Sequence, residues 1–524
     1  MSKRLVVSLA LFLAAVAVFS LLYFHSRDLL EFDSYFHARM GKLVLEKGLI
    51  HEFPWMYFTF QKDHYSDPYL FFHIYLGLWI KLLPLSPLVV VKLAMLVLIG
   101  LIAVVFFRIL KTLDPKWAWL GMALLAAMLS SRVDQRLIFV RPHVLSILLL
   151  LLGLWAILMK RWWVLGAVSF VYAYSYSAPH LLTVVAFIAS AVFSLREKRL
   201  EWRPFAFSLG GLAAGLVVNP YFPHNVSYLY IVTFKMAAAN LPVSPAELMP
   251  LSSWQVLTIN WFSFLTLSLS VLAVFISAKK LSVRTLFLFA TTGFFFVLLM
   301  RSYRFIEYWP FIAALAVAAI ASEVVVPSPL FGRLMTKAGR LACAAALLAV
   351  GAFGIKLAYK ETTSIVPYAS LKEVMDVLDR EASAGDIVYT DNWAMTMPMF
   401  YASDKVYYLL MSDPQAMYVA YPGLFTLWYA INTGRVSEKA LPIIKAIEAR
   451  ARDPEISKLR AAMESGSVVS RLPDIIRSAF RAKWIILCHN HPYAGQDLRP
   501  LMASFPIDIE FVKGNEFFTL YRLR

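Results

Sequence analysis

Charged residues and cysteines are both scarce in this chain of 524 residues. Only 16% of the residues are charged, whereas 60% are hydrophobic, and the mean hydropathy is +0.65. This composition excludes a soluble globular protein of such length and is typical of a multi-pass membrane protein. The two cysteines, Cys343 and Cys488, are too few for a disulfide framework, so they do not indicate a compartment.

Acidic residues are fewer than basic ones, 33 against 50, and the formal net charge is +17. The basic residues occur in short clusters between apolar runs, a pattern that sets membrane topology. We therefore expect no nucleic-acid partner. The sequence also lacks a P-loop, a Rossmann glycine fingerprint and a nucleophile elbow, so these three site types are not predicted.

Apolar runs long enough to cross a bilayer recur between residues 5 and 358 and predict about eleven transmembrane helices. The first run follows Lys3-Arg4 without a convincing cleavage site, so we expect an uncleaved span. The run 69–84 is short and contains Lys81, which favours an interfacial or re-entrant helix. The predicted spans are 5–24, 88–108, 117–131, 142–159, 162–177, 180–195, 204–220, 257–277, 284–300, 307–323 and 340–358.

Short basic segments alternate with longer segments rich in aromatic residues, proline and histidine. The positive-inside rule places the basic segments, and hence the N-terminus, in the cytoplasm. Nearly all acidic residues at membrane level then lie on the outer face. Short loops in one chain and no targeting signal favour the plasma (inner) membrane of a prokaryote.

The composition changes after residue 358, which predicts a transmembrane domain over 1–358 and an extracytoplasmic domain over 359–524. Residues 359–524 mix polar and apolar positions, and helix and strand patterns alternate there, as in a small α/β domain. The patterns predict helices over 370–381 and 437–465, and strands over 386–390, 484–488 and 517–521.

Asp33 is an acidic residue just after the first apolar run, in a segment that also contains His37 and Arg39. Ionisable residues at a membrane edge are functional-site candidates. The carboxylate could bind a divalent cation, bind a sugar hydroxyl or act as a base. The alternative is that Asp33 caps the N-terminus of a helix over 34–47.

Glu247 is a lone carboxylate in an apolar loop bounded by prolines. A carboxylate in such surroundings is expected to have a cation or a cationic group as its partner. The alternative is a salt bridge within the loop, for example with Lys235.

Arg301 and Arg304 end a predicted span on the outer side. Guanidinium groups suit phosphate because they stay charged and donate two parallel hydrogen bonds. The alternatives are contact with lipid headgroups, or pairing of Arg304 with Glu307. A second cluster with the same two interpretations comprises Arg132, Arg136 and Arg141.

These motifs resemble those of the oligosaccharyltransferase catalytic-subunit family, in the GT-C class of membrane glycosyltransferases. Residues 31–39 read Glu-Phe-Asp-Ser-Tyr-Phe-His-Ala-Arg and are similar to the family's first acidic motif, Asp-Pro-Tyr/Trp-Tyr/Phe-His/Asn-x-Arg. Residues 244–254 resemble its Ser-Val-Ser-Glu-His-Gln-Pro-Thr-Thr-Trp loop and keep the spacing from glutamate to proline, with the tryptophan one position later. Arg301 and Arg304, followed by Pro310, resemble the arginine near the lipid phosphate.

The resemblance implies transfer of a sugar or oligosaccharide from a polyprenyl-(pyro)phosphate carrier at the outer leaflet. Asp33 and Glu247 would be catalytic and, with Asp134, would bind Mg²⁺ or Mn²⁺. The donor phosphate would be bound by Arg301, Arg304 and Arg141. The possible substrate-binding residues are His37, Asp67, His73, His180 and Trp393.

Two features depart from the family pattern. The second acidic motif, an Asp-x-Asp/Glu pair, is represented only by Asp134, and the Trp-Trp-Asp-Tyr-Gly acceptor motif is missing. The nearest passage to that motif, residues 385–395, has one tryptophan. The acceptor is therefore open among a protein, a glycan and a lipid, and membrane lipids are expected partners. The alternative functions are an inactive relative and a transporter or flippase of lipid-linked glycans.

Overall fold

A computed structural model describes the chain except for residues 1–2, 130, 237, 240, 242–246, 248, 251, 329–335, 363–365, 412, 434–440, 443, 447, 450–453, 465–468 and 491–495. The chain splits into two units. Unit 1 comprises Met1–Arg27, Pro68–Phe222 and Pro245–Thr363, and unit 2 comprises Asp28–Asp67, Pro223–Ser244 and Ser364–Arg524. Each unit is therefore assembled from three separate stretches of sequence.

Helices dominate the described chain. Those of unit 1 are α1 (Lys3–Tyr23), α3 (Leu70–Leu82), α4 (Pro87–Leu113), α5 (Ala118–Met128), α6 (Ser131–Leu137), α7 (His143–Leu158), α8 (Trp162–Ala173), α9 (His180–Glu197), α10 (Arg203–Val217), α12 (Ser253–Ile259), α13 (Trp261–Ser277), α14 (Val283–Arg301), α15 (Trp309–Ile320) and α16 (Lys337–Glu361). Those of unit 2 are α2 (Phe32–Lys47), α11 (His224–Tyr230), α17 (Tyr368–Glu381), α18 (Thr396–Ala402), α19 (Pro414–Ala420), α20 (Pro422–Asn432), α21 (Pro454–Glu464), α22 (Leu472–Ala479) and α23 (Arg499–Ala503).

Each predicted span coincides with a helix of unit 1. Five of these helices are long and apolar enough to cross a membrane by length and composition, and α12 with α13 adds a sixth if this pair, bent by 88°, counts as one span. The other apolar helices have 10–17 residues, whereas a span needs about 20. The number of about eleven spans therefore stays a prediction, as does the interfacial or re-entrant placement of α3.

Prolines and capping residues fix several helix ends in unit 1. Pro87 opens α4, where its missing N–H is no loss and its fixed φ suits the helix. Ser252 accepts a hydrogen bond from the backbone N–H of Gln255, and the Gln255 side chain accepts one from the Ser252 N–H. This capping box starts α12 and separates it from the preceding loop that holds Glu247.

Helices α8 and α10 pack closely because small residues line their contact. The hydroxyl groups of Ser169 and Ser208 are 2.8 Å apart and hydrogen-bonded. A Cβ atom placed on Gly211 would lie 2.0 Å from the carbonyl oxygen of Gly166. Small residues of this kind allow the backbones of apolar helices to approach, with dispersion forces and hydrogen bonds as the attraction.

Unit 2 contains a mixed five-stranded sheet in the order β2-β1-β3-β5-β4. Strand β1 pairs in parallel with β2 and β3, whereas β5 pairs in antiparallel fashion with β3 and β4. All four residues of β1 are buried, as expected for a central strand covered on both faces. The strands are β1 (Ile387–Thr390), β2 (Tyr407–Tyr408), β3 (Ala482–Cys488), β4 (Ile509–Gly514) and β5 (Phe518–Leu523).

The segment Asp28–Asp67 is part of unit 2 through contacts with the C-terminal stretch. The backbone N–H of Tyr57 donates to the carbonyl of Tyr408, at 2.9 Å, beside a parallel bridge between Met56 and Tyr408. Arg39 of α2 forms an ion pair with Asp404, at 2.7 Å. The sequence does not indicate this grouping, and the predicted domain boundary at 358/359 stays a prediction.

The patterns in the C-terminal region correspond to observed elements. Helix α17 covers the predicted helix 370–381, and the strand patterns match β1, β3 and β5. The short edge strand β2 and the edge strand β4 were not predicted. The predicted helices over 437–465 lie partly outside the described residues; residues 441–442, 444–446 and 448–449 and helix α21 are helical.

We expect Gly211→Ala to destabilise unit 1, because the new Cβ would collide with the backbone of Gly166. Overpacking of this kind costs about 1–3 kcal/mol. A Cβ atom on the adjacent Gly210 would have no atom within 4 Å, so Gly210→Ala should stabilise the helix by up to about 1 kcal/mol. Thermal unfolding midpoints in detergent compare the two variants, and equal midpoints would contradict the close packing of α8 against α10.

Candidate functional site

Five ionisable residues of unit 1 form a buried group that we name the arginine–glutamate cluster: Arg136, Arg141, Glu247, Arg304 and Glu307. Arg136 comes from α6, and Arg141 lies just before α7. Arg304 and Glu307 belong to the 3₁₀ turn Tyr303–Glu307, which joins α14 to α15. The short turns between apolar helices thus bring together residues that are far apart in sequence.

Glu247 is held by two arginines at once. Arg141 Nη1 donates to Oε2 of Glu247 at 2.8 Å, and Arg141 Nη2 donates to Oε1 at 3.1 Å. Arg136 Nη2 also donates to Oε2, at 3.1 Å. The contact with Arg141 is a two-pronged pair, the geometry in which a guanidinium group binds a planar anion most specifically.

Arg136 is also paired with Glu307. Arg136 Nε donates to Oε1 of Glu307 at 2.7 Å, and Arg136 Nη2 contacts the same oxygen. The Glu307 side chain is 1% exposed and that of Arg136 is 8% exposed. A charge buried so fully is stable only with a partner of opposite sign, so this pair fixes the turn after α14 against α6.

Arg304 is the least satisfied arginine of the cluster. Its Nε is buried and has no hydrogen-bond partner within the described part of the chain. Its guanidinium carbon lies 5.6 Å from the centre of the Tyr176 ring, a cation–π contact. Three guanidinium groups thus face two carboxylates, which leaves the cluster with one excess positive charge and a site suited to an anion.

The protonation state of Glu247 follows from its neighbours. Burial by itself raises the pKa of Glu247, but the guanidinium groups of Arg141, Arg136 and Arg304 outweigh burial and hold it well below its usual range. Glu247 is therefore an ionised carboxylate at neutral pH. Within unit 1 the charged partners of Glu247 are arginines. The suggested pair with Lys235, which belongs to unit 2, stays a prediction.

Backbone contacts hold the cluster in place. The imidazole Nε2 of His143 is 2.8 Å from the carbonyl oxygen of Arg136. The hydroxyl of Ser302 donates to the carbonyl oxygen of Glu247 at 2.9 Å. The loop of Glu247 is thereby tied to the end of α14, which positions a side chain whose flanking residues 242–246 and 248 lie outside the described chain.

Asp134 lies apart from these ion pairs. It is fully buried, and neither carboxylate oxygen has a hydrogen-bond partner among the residues that the structure describes. Its Oδ2 would be 3.6 Å from a Cβ atom on Gly354, so the side chain faces α16. Burial raises the pKa of Asp134 well above its usual range, which disfavours the anionic form that a metal ligand needs.

Asp33 belongs to unit 2 and lies in the first turn of α2. The helix cap is Glu31, whose carboxylate accepts a hydrogen bond from the backbone N–H of Ser34 at 3.2 Å. The suggestion that Asp33 caps this helix is therefore wrong, because the helix already begins at Phe32. A carboxylate in the first turn is still stabilised by the helix dipole. The catalytic role of Asp33 stays a prediction.

The other predicted residues are distributed over both units. Arg301 is exposed at the end of α14, and Trp393 packs against the apolar core of unit 2. His37 and Asp67 are buried in unit 2, His73 is buried in unit 1, and His180 is half-buried at the start of α9. Their substrate contacts stay predictions.

A divalent cation is implied by the family resemblance, and the described residues offer limited support for it. They contain no group of three or more histidine, cysteine, aspartate or glutamate side chains placed to hold a metal. Both oxygens of Glu247 are already engaged by guanidinium groups. The predicted ligand set of Asp33, Glu247 and Asp134 stays a prediction.

Sequence reasoning did not select Arg136 or Glu307 as site residues. The sequence places Arg136 only in a cluster with two interpretations, and Glu307 only in a possible pair with Arg304. The sequence contains one indication for Glu307, which is a carboxylate at the start of an apolar run. Such a residue is costly in a membrane unless it has a function or a charged partner. Its actual partner, 171 positions away in sequence, could not be inferred from spacing.

Known structures share this fold, although no family model and no curated protein matches the sequence. The oligosaccharyltransferase of Archaeoglobus fulgidus matches with a TM-score of 0.62 at 12% identity, over 92% of this chain and 69% of that chain. ArnT from Cupriavidus metallidurans matches with a TM-score of 0.58 at 13% identity, over 98% and 97%. Arabinofuranosyltransferase AftD from Mycobacteria matches with a TM-score of 0.54 at 16% identity, over 100% and 42%. The resemblance to the GT-C class is confirmed at the level of the fold.

Two of these proteins, ArnT and the Archaeoglobus fulgidus oligosaccharyltransferase AglB, have also been solved with ligands. ArnT has been solved with undecaprenyl phosphate. The archaeal enzyme AglB has been solved with an inhibitory peptide and a dolichol-phosphate, at a TM-score of 0.61 to this chain. A further structure of the Archaeoglobus fulgidus oligosaccharyltransferase contains zinc and sulfate.

We expect Glu307→Gln to destabilise unit 1 by about 2–5 kcal/mol, because Arg136 would keep its buried charge without a full partner. The control is Asp376→Asn, which removes a surface pair with Lys372 at 2.6 Å and should cost about 0.5 kcal/mol or less. Thermal unfolding in detergent measures both. Similar midpoints for the two variants would argue against a structural role for the buried pair.

A pH dependence is expected from Asp391, next to the predicted Trp393. Burial raises the pKa of Asp391 from 3.8 to about 7, although the backbone N–H of Cys488 donates to Oδ1 at 3.0 Å and opposes this shift. Between these pH values the folded state binds a proton that the unfolded state does not, so this group makes stability fall as pH rises from about 4 to about 7.

Asp391→Asn should remove this loss of stability. The unfolding midpoint of the variant, minus that of the wild type, is expected to increase from about pH 4.5 to about pH 8. A difference that stays constant over this range would show that Asp391 titrates normally in the folded protein.

Proposed function

We propose that this chain is a membrane glycosyltransferase that moves a sugar or oligosaccharide from a polyprenyl-(pyro)phosphate carrier to an acceptor at the outer face of the membrane. The observation that carries the proposal is the excess positive charge of the arginine–glutamate cluster. A buried site with three guanidinium groups and two carboxylates favours an anionic ligand. The phosphate of a lipid-linked donor is such an anion.

The chemistry requires a group that stabilises the departing phosphate. When the bond between sugar and phosphate breaks, negative charge accumulates on the phosphate oxygens. Guanidinium groups fixed beforehand in a low-dielectric site stabilise that charge without reorganising. We assign this role to Arg141 and Arg304, because Arg141 donates in a fork and Arg304 retains a buried N–H that has no partner among the described residues.

Asp33 and Glu247 stay proposed as catalytic residues that orient the acceptor nucleophile. Both proposals rest on the family motifs, and no step assigned to this chain runs through a metal ion. A bound Mg²⁺ or Mn²⁺ would supply further stabilisation of the phosphate charge. Removal of divalent cations by a chelator tests whether transfer needs such an ion.

The structural neighbours support a lipid-phosphate donor. ArnT was solved with undecaprenyl phosphate and AglB with a dolichol-phosphate. The chain matches ArnT over nearly the whole length of both proteins, whereas it covers 69% of the oligosaccharyltransferase. Because the acceptor motif of that family is missing here, the acceptor stays open among a protein, a glycan and a lipid.

The proposed orientation of the chain in the membrane follows from the distribution of its basic residues. Short basic segments lie between the predicted spans, and the positive-inside rule places them in the cytoplasm. The N-terminus would then be cytoplasmic and the C-terminal domain extracytoplasmic, in the plasma (inner) membrane of a prokaryote. The segments of the arginine–glutamate cluster would lie on the outer side, where the donor is used.

Transfer from a labelled polyprenyl-linked sugar tests the proposal. We expect the wild-type protein to transfer label, and Asp33→Ala and Glu247→Ala each to lose at least about 100-fold, the usual scale for a residue that positions or activates a nucleophile. Addition of EDTA, followed by Mg²⁺ or Mn²⁺, measures the requirement for a divalent cation. Lys372→Ala, an exposed change in unit 2, should leave transfer unaltered.

The outcomes separate the alternatives. Unchanged transfer by both carboxylate variants would overturn the assignment of these two residues. No transfer from any lipid-linked donor would favour an inactive relative or a flippase. For a flippase, movement of the labelled lipid between the leaflets of a proteoliposome would occur without formation of a glycosylated product.

A further inference from the structure

We propose that Glu247 and the donor phosphate compete for the same guanidinium groups, so that binding of the donor displaces the Glu247 carboxylate from Arg141. The inference rests on the proposed function, since it concerns the phosphate of a polyprenyl-linked donor. It adds a role for Glu247 that the family motifs do not contain. Glu247 would be the internal anion of the empty site as well as a proposed catalytic residue.

The contact geometry supports competition. Both terminal nitrogens of Arg141 donate to Glu247, one to each carboxylate oxygen, at 2.8 and 3.1 Å. A phosphate presents two oxygens to a guanidinium fork in the same way. Arg141 therefore cannot make its two-pronged contact with the donor while Glu247 holds it.

Burial identifies which carboxylate gives way. The Glu247 side chain is 16% exposed, whereas that of Glu307 is 1% exposed. Removal of Glu307 from Arg136 would leave both charges buried in apolar surroundings, which is costly. Glu247, whose side chain is the more exposed of the two, can release its carboxylate at lower cost.

Glu307 accordingly acts as a positioning residue. Its Oε1 accepts from Nε of Arg136 at 2.7 Å, which fixes the plane of that guanidinium group. Nη2 of Arg136 also donates to Glu247, so the same guanidinium group contacts the position that the Glu247 carboxylate occupies and that the phosphate would take. Glu307 keeps Arg136 there whether a carboxylate or a phosphate occupies that position.

Charge balance supports the exchange as well. Without Glu247 the three guanidinium groups and Glu307 would carry two excess positive charges. A phosphate diester with one negative charge that replaces Glu247 restores the single excess charge, so the exchange leaves the charge of the cluster unchanged. The apparent affinity for the donor is then the intrinsic affinity reduced by this internal competitor.

Binding of undecaprenyl phosphate, a probe that lacks a sugar, tests the competition. Tryptophan fluorescence in detergent measures the affinity. Glu247→Gln should bind the probe roughly tenfold or more tightly than the wild type, because a neutral amide competes less well than a carboxylate for the guanidinium group of Arg141. Glu247→Asp keeps the charge and should bind nearly as the wild type does. Glu361→Gln, an exposed change in unit 1 that alters a contact with Gln135, is the matched control and should not change affinity.

A second readout distinguishes competition from a simple gain in stability. For Glu247→Gln we expect tighter binding together with loss of transfer from the labelled donor. Size-exclusion chromatography and unfolding midpoints establish that each variant is folded. If Glu247→Gln fails to fold, Glu247→Ala serves instead, because it also removes the carboxylate, and it should likewise bind the probe more tightly than the wild type.

The failure of this inference differs from the failure of the proposed function. Equal or weaker binding by Glu247→Gln, with a wild type that binds the probe and transfers sugar, would overturn the competition alone. A wild type that neither binds undecaprenyl phosphate nor transfers from any lipid-linked donor would overturn the proposed function.

Discussion

The contact between Arg136 and Glu307 is the interaction on which the site depends. A guanidinium group in apolar surroundings is tolerated only with a carboxylate, and here the carboxylate comes from a turn 171 positions later in the chain. The pair joins α6 to the 3₁₀ turn Tyr303–Glu307. That turn also carries Arg304, and the chain that follows α6 carries Arg141. The pair therefore holds together the two segments that carry Arg141 and Arg304.

Much of the helical layout was available from the sequence. Each apolar run in residues 5–358 forms a helix, because a long apolar segment satisfies its backbone polar groups within itself. In the C-terminal region the amphipathic pattern predicted α17, whose Leu371, Val374, Met375 and Leu378 are buried at helical spacing. The edge strands β2 and β4 were missed, since β2 is two residues long and β4 alternates weakly in burial. The grouping of Asp28–Asp67 with the C-terminal stretch requires pairing information that local patterns do not contain.

The candidate site was predictable only in part, and the reason is physical. Glu247 stood out because a lone carboxylate in an apolar loop needs a cationic partner, and the structure supplies Arg136 and Arg141. Which cationic side chains pair with Glu247 depends on how turns that are distant in sequence pack together. The sequence alone therefore did not distinguish the arginines from Lys235 as its partner. Asp134 was predicted as a metal ligand because it occupies the place of the family's second acidic motif. Its burial against Gly354 could not be predicted in this way, because Gly354 lies on a helix more than two hundred residues later.

The composition of unit 2 from three stretches has a consequence for biosynthesis. Helix α2 is made early, yet its ion-pair partner Asp404 and the β2 residue that meets Met56 belong to the last third of the chain. During synthesis the apolar face of α2, which includes Met40 and Leu43, has to wait for these late elements before it is covered. Until then the segment Asp28–Asp67 exposes apolar surface, the feature that chaperones recognise in incompletely folded chains. The order of translation thus sets when this part of the protein can first become native.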